Sequence, residues 1–144
     1  MERYEDAIDI CTEGLNIRKD IYGKRSLDYA ISLNNLALIY YEMGILNDAA
    51  DIFSEALAIK KETLPEIHGQ ISIGYFNLGL VYDKLHRDNE ALENYRASME
   101  IDNELEAYEA VLLTAEYIAE IYERNDMPED AEAYRTLCSK DDVH

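Results

Sequence analysis

The 144-residue chain repeats one helical pattern at a period of 42 residues. In the first three copies, Ala is followed four positions later by Cys or an aromatic residue, and then by a small and a large apolar residue. Because residues at i, i+4, i+7 and i+8 lie on one face of a helix, each copy predicts an amphipathic helix. The copies begin at Ala7, Ala49 and Ala91, and a fourth, spaced at 40 residues, begins at Ala131.

A second recurring helix precedes every copy except the first. Gly44 suits the left-handed turn after a helix, and Pro128 suits the first turn of one. Neither helix of a pair buries its apolar face alone, so neighbouring pairs are expected to stack. The sequence therefore predicts an all-α fold of antiparallel helix pairs. The recurring residues of the preceding helix are Leu36, Ala37 and Tyr40; Leu78, Gly79 and Tyr82; and Ile118, Ala119 and Tyr122.

These residues resemble the tetratricopeptide repeat (TPR) family, in its long-period variety found in kinesin light chains. The segment LNNLA, followed by Tyr40 and Gly44, is close to one full motif, whereas His86 replaces a turn glycine and Arg135 replaces an aromatic residue. The resemblance implies a right-handed α-solenoid. It implies a single TPR-like domain, residues 1–144, with an unpaired second helix at 4–19, repeats at 28–63 and 70–103, and a C-terminal repeat at 108–140.

The two ends of the repeat pattern differ from its middle. The first helix has no preceding partner helix, which leaves Ile8, Ile10 and Ile17 without a natural neighbour. The last helix is polar where an inner repeat is apolar, at Glu132, Arg135 and Ser139, as a terminal repeat requires for solubility. Two interpretations stay open. The chain is the C-terminal end or a fragment of a longer array, or its open first helix pairs with a second copy in a homodimer.

The net charge limits the classes of partner. The chain has 13 Lys and Arg against 31 Asp and Glu, a formal charge of −18, and such a surface repels nucleic acids and anionic membranes. The charge serves solubility alone, or it also attracts basic partners. No apolar run approaches the roughly 20 residues that cross a bilayer, and no signal peptide is visible. With Cys11 and Cys138 read as reduced, inert thiols, a cytoplasmic location is expected.

Catalytic and metal-binding patterns are not evident in the sequence. It contains no Gly-rich phosphate loop, nucleophile elbow or HExxH motif, so we expect no enzyme activity and no cofactor. The three histidines, His68, His86 and His144, are interpreted as surface residues. Glu116, Glu120 and Glu123 share one helix face, but no Asp-rich loop completes a metal site. A solvated acidic face, or one that docks Lys and Arg, is favoured over a metal site.

The TPR resemblance implies a concave groove, lined by the first helix of each pair, that holds a peptide or a partner helix. Asn35 and Asn77 are equivalent, at a position where the family often uses Asn amides on a peptide backbone; otherwise they satisfy local polar groups. Basic residues that would clamp an acidic chaperone tail are missing, which disfavours that ligand. The implied partner-binding residues are Ile31, Asn34, Asn35, Leu38, Tyr41, Phe76, Asn77, Leu80, Lys84, Glu116, Tyr117 and Glu120.

The function predicted from these features is a non-enzymatic protein–protein interaction module. Its partner is expected to be a protein or peptide that is apolar, basic or both. The alternative is a structural spacer or oligomerisation segment of a larger protein, with no ligand in the groove. A regulatory domain attached to an enzyme is compatible with either.

Overall fold

The computed structural model describes residues 2–141, with side chains described for residues 3–137. This part of the chain consists of seven α-helices and has no strand, so the predicted all-α class is confirmed. The interpretations of Cys138, Ser139 and His144 fall on side chains outside the described residues. The helices are α1 (Glu2–Tyr22), α2 (Leu27–Glu42), α3 (Leu46–Thr63), α4 (Gly69–Lys84), α5 (Asp88–Glu104), α6 (Tyr108–Arg124) and α7 (Pro128–Asp141).

The helices form two compact units that divide between Glu66 and Ile67. In the first unit, α2 contacts both α1 and α3. Leu33 and Leu36 of α2 join Leu15 of α1 and Ile59 of α3 in one buried cluster. The small residues of the repeat pattern are fully buried here, which permits the close approach of helix backbones that the pattern predicted: Ala37, Ala49 and Ala56.

In the second unit, each helix contacts the next one along the chain, from α4 to α7. The buried cluster combines Ala91, Leu92 and Tyr95 of α5 with Ile118 and Ile121 of α6. Burial of such side chains, at about 25 cal/mol per Å² of apolar area, is the main force that holds helices of this kind together.

Four turns between helices close in the same way. In the first turn, the N–H of Gly44 donates to the carbonyl of Tyr41 at 3.0 Å, and the N–H of Ile45 donates to the carbonyl of Tyr40 at 2.9 Å. The left-handed residue has φ of 81° at Gly44 and 57° at the three others. This Schellman-type closure satisfies carbonyls at the end of each helix. In the other three of these turns, the left-handed residue is His86, Glu106 or Asp126.

Two helices begin at caps that occupy equivalent positions. Ser26 Oγ accepts a hydrogen bond from the N–H of Tyr29 at 3.1 Å at the start of α2. At the start of α4, His68 Nδ1 accepts from the N–H of Gln70 at 3.0 Å. These bonds satisfy N–H groups that have no partner within the helix. His68, which the sequence placed in a surface loop, therefore also has a structural role.

None of the helices in the described part of the chain combines the length and the apolar character that a membrane span requires.

Candidate protein-interaction surfaces

The face of α2 directed away from its buried side carries a stripe of exposed residues. Tyr29, Leu33 and Leu36 are buried, because they face the core of the first unit. On the opposite side, Ile31 is 37% exposed and Leu38 is 40% exposed. Asn35 lies between them in sequence and is also exposed, and the spacing of i, i+4 and i+7 places these three residues on one side of the helix. We call them the α2 stripe.

The other two predicted residues of α2 are less accessible than the α2 stripe. Asn34 is half-buried, and its Oδ1 is buried without a hydrogen-bond partner among the described residues. Tyr41 is also half-buried. Of the two adjacent asparagines, Asn35 is thus the one whose amide is exposed to a ligand. It also lines, together with Ile10 and Ile17 of α1, a groove of about 290 Å³ between α1 and α2.

In the second unit, two of the predicted apolar residues belong partly to the core. Phe76 of α4 and Tyr117 of α6 pack against the fully buried Tyr95 of α5. The three ring centroids form a triangle with distances of 5.5 to 5.7 Å, and the Phe76 and Tyr117 rings meet edge to face. Leu80 and Asn77 are half-buried as well. These residues stabilise the unit and expose only part of their surface.

The most exposed aliphatic side chains of α4 and α6, the first helices of the two pairs in this unit, are those of Ile73 and Leu113. Ile73 is 50% exposed and Leu113 is 54% exposed. Both occupy the register position that Ile31 occupies in α2. In all three first helices, this register position therefore presents a large apolar side chain to solvent.

Arg124 and two carboxylates form an ion-pair network in the second unit. An Nη atom of Arg124 lies 2.9 Å from Asp83 and 2.6 Å from Asp88. Asn125 donates a further hydrogen bond to Asp88 at 2.8 Å. Burial favours a higher pKa for Asp88, but the hydrogen bonds from Asn125 and Arg124, together with the positive charge, lower its pKa overall. Asp83 also accepts a hydrogen bond from the hydroxyl of Tyr95 at 3.2 Å.

The acidic face predicted on α6 is partly neutralised from within the chain. Arg135 of α7 lies 3.0 Å from a carboxylate oxygen of Glu116 and also forms an ion pair with Glu123. The hydrogen bond from Arg135 lowers the pKa of Glu123, and these bonds raise the pKa of Arg135 itself. Glu120 stays exposed between them, with no ion pair among the described residues. Lys84, also in the predicted set, is exposed.

The Arg135 ion pairs are a feature that sequence reasoning missed. Arg135 stands where the repeat pattern places Phe53 and Tyr95, and its departure from the pattern was visible in the sequence. That departure was interpreted as a polar outer face, not as a cation aimed at the Glu residues of α6. The signal in the sequence was a cation in place of an aromatic residue, on a helix that follows one with an acidic face, and this combination would have predicted the ion pairs.

No group of three or more His, Cys, Asp or Glu side chains among the described residues is placed to hold a metal ion.

Comparison with known proteins identifies the repeat. Two sequence models described as tetratricopeptide repeat match residues 1–62 and residues 74–105, which together make up well over half of the chain. No curated protein sequence matches the chain significantly.

Solved structures of low sequence identity share the fold. BtubC (BKLC) from P. vanneervenii superposes with a TM-score of 0.88 at 20% identity, covering 96% of this chain and 56% of that one. A kinesin light chain from Podosopora anserina, described as having nearly identical TPR-like repeats, superposes with a TM-score of 0.83 at 19% sequence identity to this chain. The match covers 96% of this chain and 69% of that one. MamA superposes with a TM-score of 0.66 at 17% identity, covering 97% of this chain and 85% of that one.

These likenesses bear on the architecture alone, and the chain spans just over half the length of BtubC. Together with the seven helices, they confirm the predicted helical-repeat solenoid. The recurring Ala, Tyr and turn residues, the paired helices and the two matching repeat models lead to one conclusion: the chain belongs to the tetratricopeptide repeat family.

Proposed function

We propose that the chain is a non-enzymatic module that binds a peptide or a partner helix on the exposed faces of its first helices. TPR repeats generally mediate protein–protein interaction, and the proposal assigns that role to particular side chains. The supporting observation is the exposure of an apolar side chain at the same register position of α2, α4 and α6, at Ile31, Ile73 and Leu113. Exposed apolar surface beyond singly scattered residues marks interaction sites, and the repetition at one register position distinguishes these three residues from scattered ones.

Each unit offers a different set of contacts for a ligand. In the first unit, the α2 stripe combines two apolar groups with the exposed Asn35 amide, which has both donors and an acceptor for a peptide backbone. In the second unit, Ile73 and Leu113 supply apolar contacts, and the half-buried residues Phe76, Asn77, Leu80 and Tyr117 add aromatic, apolar and amide surface.

The charge of the partner follows from the carboxylates that stay unpaired. Arg135 already forms ion pairs with Glu116 and Glu123, so Glu120 is the carboxylate of that face most available to a ligand. We therefore propose a partner that is mainly apolar, with one or two Lys or Arg side chains, in a cytoplasmic setting.

A peptide-display selection tests this proposal. A random peptide library would be selected on the wild-type chain, and each enriched peptide would be measured on the variants Ile73→Glu and Leu113→Glu. Leu105→Glu is a matched control, because Leu105 is 43% exposed but lies at a helix end outside the proposed face. We expect affinity to fall at least about tenfold for the first two variants and to be unchanged for the control. Equal binding by all variants would exclude these faces.

A second candidate function, self-association through α1, rests on a separate observation. Ile10, Ile17 and Ile21 of α1 are 70%, 52% and 66% exposed, respectively. Their spacing of seven and four residues places them on one face of the helix. Sedimentation equilibrium should detect a concentration-dependent dimer that Ile10→Glu weakens. A strict monomer at high concentration would remove this candidate and leave the peptide-binding proposal unaffected.

A further inference from the structure

A second concave surface lies in the second unit, at residues not used by the proposed interaction faces. It is a groove of about 390 Å³, lined by side chains of α5, α6 and α7. Val111 and Ala115 of α6 are buried at its base, and Leu137 of α7 is 51% exposed. Met99 and Leu112 complete an apolar lining. Ala115, which lines this groove, directly precedes Glu116 of the acidic face in the sequence of α6.

One cation lines the same groove and is held there by neutral groups. Arg96 of α5 donates from Nε to the hydroxyl of Tyr134 at 3.1 Å and from Nη2 to the hydroxyl of Tyr122. The Tyr122 and Tyr134 rings are stacked with centroids 5.7 Å apart, and the guanidinium carbon lies 5.9 Å from the Tyr122 centroid. The two tyrosines therefore fix the position of the guanidinium.

Arg96 differs from the other arginines of this unit in having no acidic partner among the described residues. Arg87, Arg124 and Arg135 each form an ion pair with a carboxylate. A guanidinium has five N–H donors in a planar fork, and the bonds to Tyr122 and Tyr134 occupy only part of it. In a chain of formal charge −18, a positioned cation without a carboxylate partner complements an anionic ligand.

The size of the groove indicates the class of ligand. Small-molecule sites have volumes of roughly 300–1,000 Å³ and are mainly apolar with a few polar groups, whereas a stable protein interface covers about 800 Å² on each partner. At about 390 Å³, the groove has the volume of a small-molecule site. Glu100 also lines it, and its carboxylate repels negative charge on a ligand; the Arg96 guanidinium offsets this for one carboxylate, which disfavours a second one.

We propose that this groove binds a compact monocarboxylate, whose apolar ring or short chain contacts Met99, Ala115 and Leu137 while its carboxylate accepts hydrogen bonds from Arg96. Such a site would let a small amphipathic acid bind this protein independently of any peptide on the first helices.

The test is a titration of the ¹⁵N-labelled chain, followed by NMR, with phenylacetate as the probe. Phenylacetamide removes only the charge, acetate removes the apolar ring, and phenylmalonate adds a second carboxylate. We expect shifts centred on the amides of Ala115 and Leu137. Phenylacetate should bind about fivefold more tightly than phenylacetamide, the ratio expected for one exposed charge-assisted contact. Acetate and phenylmalonate should bind more weakly than phenylacetate.

Two variants and one control assign the effect to Arg96. Arg96→Gln should abolish the preference for phenylacetate over phenylacetamide, and Arg25→Gln, which removes an exposed arginine of the first unit, should preserve it. If Arg96→Gln loses helix by circular dichroism, Leu137→Glu at the exposed rim provides the second test and should weaken phenylacetate more than phenylacetamide. Equal affinity for the acid and the amide, shifts centred elsewhere, or no shift at the solubility limit would each overturn the proposal.

Discussion

The ring of Tyr95 occupies the space that a side chain at Gly79 would need. A Cβ atom at Gly79 would lie 2.5 Å from both Cδ1 and Cε1 of Tyr95. Tyr95 is fully buried and packed between Phe76 and Tyr117, so its ring has no room to move away. The small residue in the middle of α4 is therefore required by the aromatic residue of α5.

Replacement of this glycine should destabilise the protein. Overpacking in a core costs about 1–3 kcal/mol, which exceeds the gain of up to about 1 kcal/mol in helix propensity from Gly to Ala. We expect Gly79→Ala to lower the free energy of unfolding, measured by urea denaturation. Gly14→Ala is the matched control, because a Cβ at this helical glycine of α1 meets nothing within 4 Å. The control should be neutral or stabilising, and a neutral Gly79→Ala would contradict the packing described for Tyr95.

A glycine at position 86 should stabilise the chain. His86 has a φ of 57°, in the left-handed region that costs a side-chain-bearing residue about 1–2 kcal/mol. Replacement by glycine removes this strain, but glycine also has more conformational freedom in the unfolded state, which offsets part of the gain. His86→Gly should therefore raise the free energy of unfolding by about 0.5–1 kcal/mol. Asp126→Gly should raise the free energy of unfolding by less, because Asp tolerates the left-handed conformation better than His does. A loss of stability in thermal denaturation of His86→Gly would show that the imidazole makes a compensating contact.

Removal of the Arg135 cation should increase the attraction of α6 for basic peptides. Arg135→Gln releases the carboxylates of Glu116 and Glu123, whose side chains are about half exposed. Its effect on stability should be small, since exposed ion pairs contribute little. A labelled lysine-rich peptide should bind this variant more tightly than wild type, and the difference should shrink as salt screens the charges. Arg25→Gln, which breaks an exposed ion pair in the first unit, should not reproduce this increase.

The Asp88 network predicts a specific pH dependence of stability. The pKa of Asp88 is lower in the folded chain than its ordinary value: burial opposes this, but the bonds from Asn125 and Arg124 outweigh it. A carboxylate whose pKa falls on folding stabilises the folded state above its unfolded pKa of about 3.9, and this contribution is lost as the pH falls through the folded value.

The difference in unfolding free energy between wild type and Asp88→Asn should therefore shrink between neutral pH and about pH 3, from a starting value of up to about 1 kcal/mol. Chemical denaturation at several pH values measures this difference. The exposed Asp51 supplies a comparison variant, Asp51→Asn, for the general effect of removing one negative charge. A difference that stays constant or grows in acid would exclude the proposed role of the ion pair.

The sequence predicted the helices well because their signals are local. Gly44 adopts the left-handed turn, and Pro128 begins α7, as the residue types required. The buried Ala and aromatic positions followed from helical periodicity. The exposure of Ile31 and Leu38 agrees with the α2 face implied by the TPR resemblance, although their role as contacts for a partner stays a prediction.

Side-chain partners between helices could not be predicted in the same way. The pairing of Arg135 with Glu116 depends on how closely α7 approaches α6 and on the conformation of a long side chain. The same holds for Arg96 and its two tyrosines, which are distant in sequence. A pattern of residue types does not show that the side-chain amide oxygen of Asn34 is buried while its neighbour Asn35 is exposed.

The four Schellman-type turns have a consequence for how this chain tolerates change. Gly, His, Glu and Asp all occupy the left-handed position, and the backbone hydrogen bonds around them are the same. The geometry of each turn is thus determined by the number of residues between the helices and not by the identity of any side chain. Each of these four turns has three residues between its helices, so their side chains are interchangeable, whereas one inserted or deleted residue would change the direction of the helix that follows.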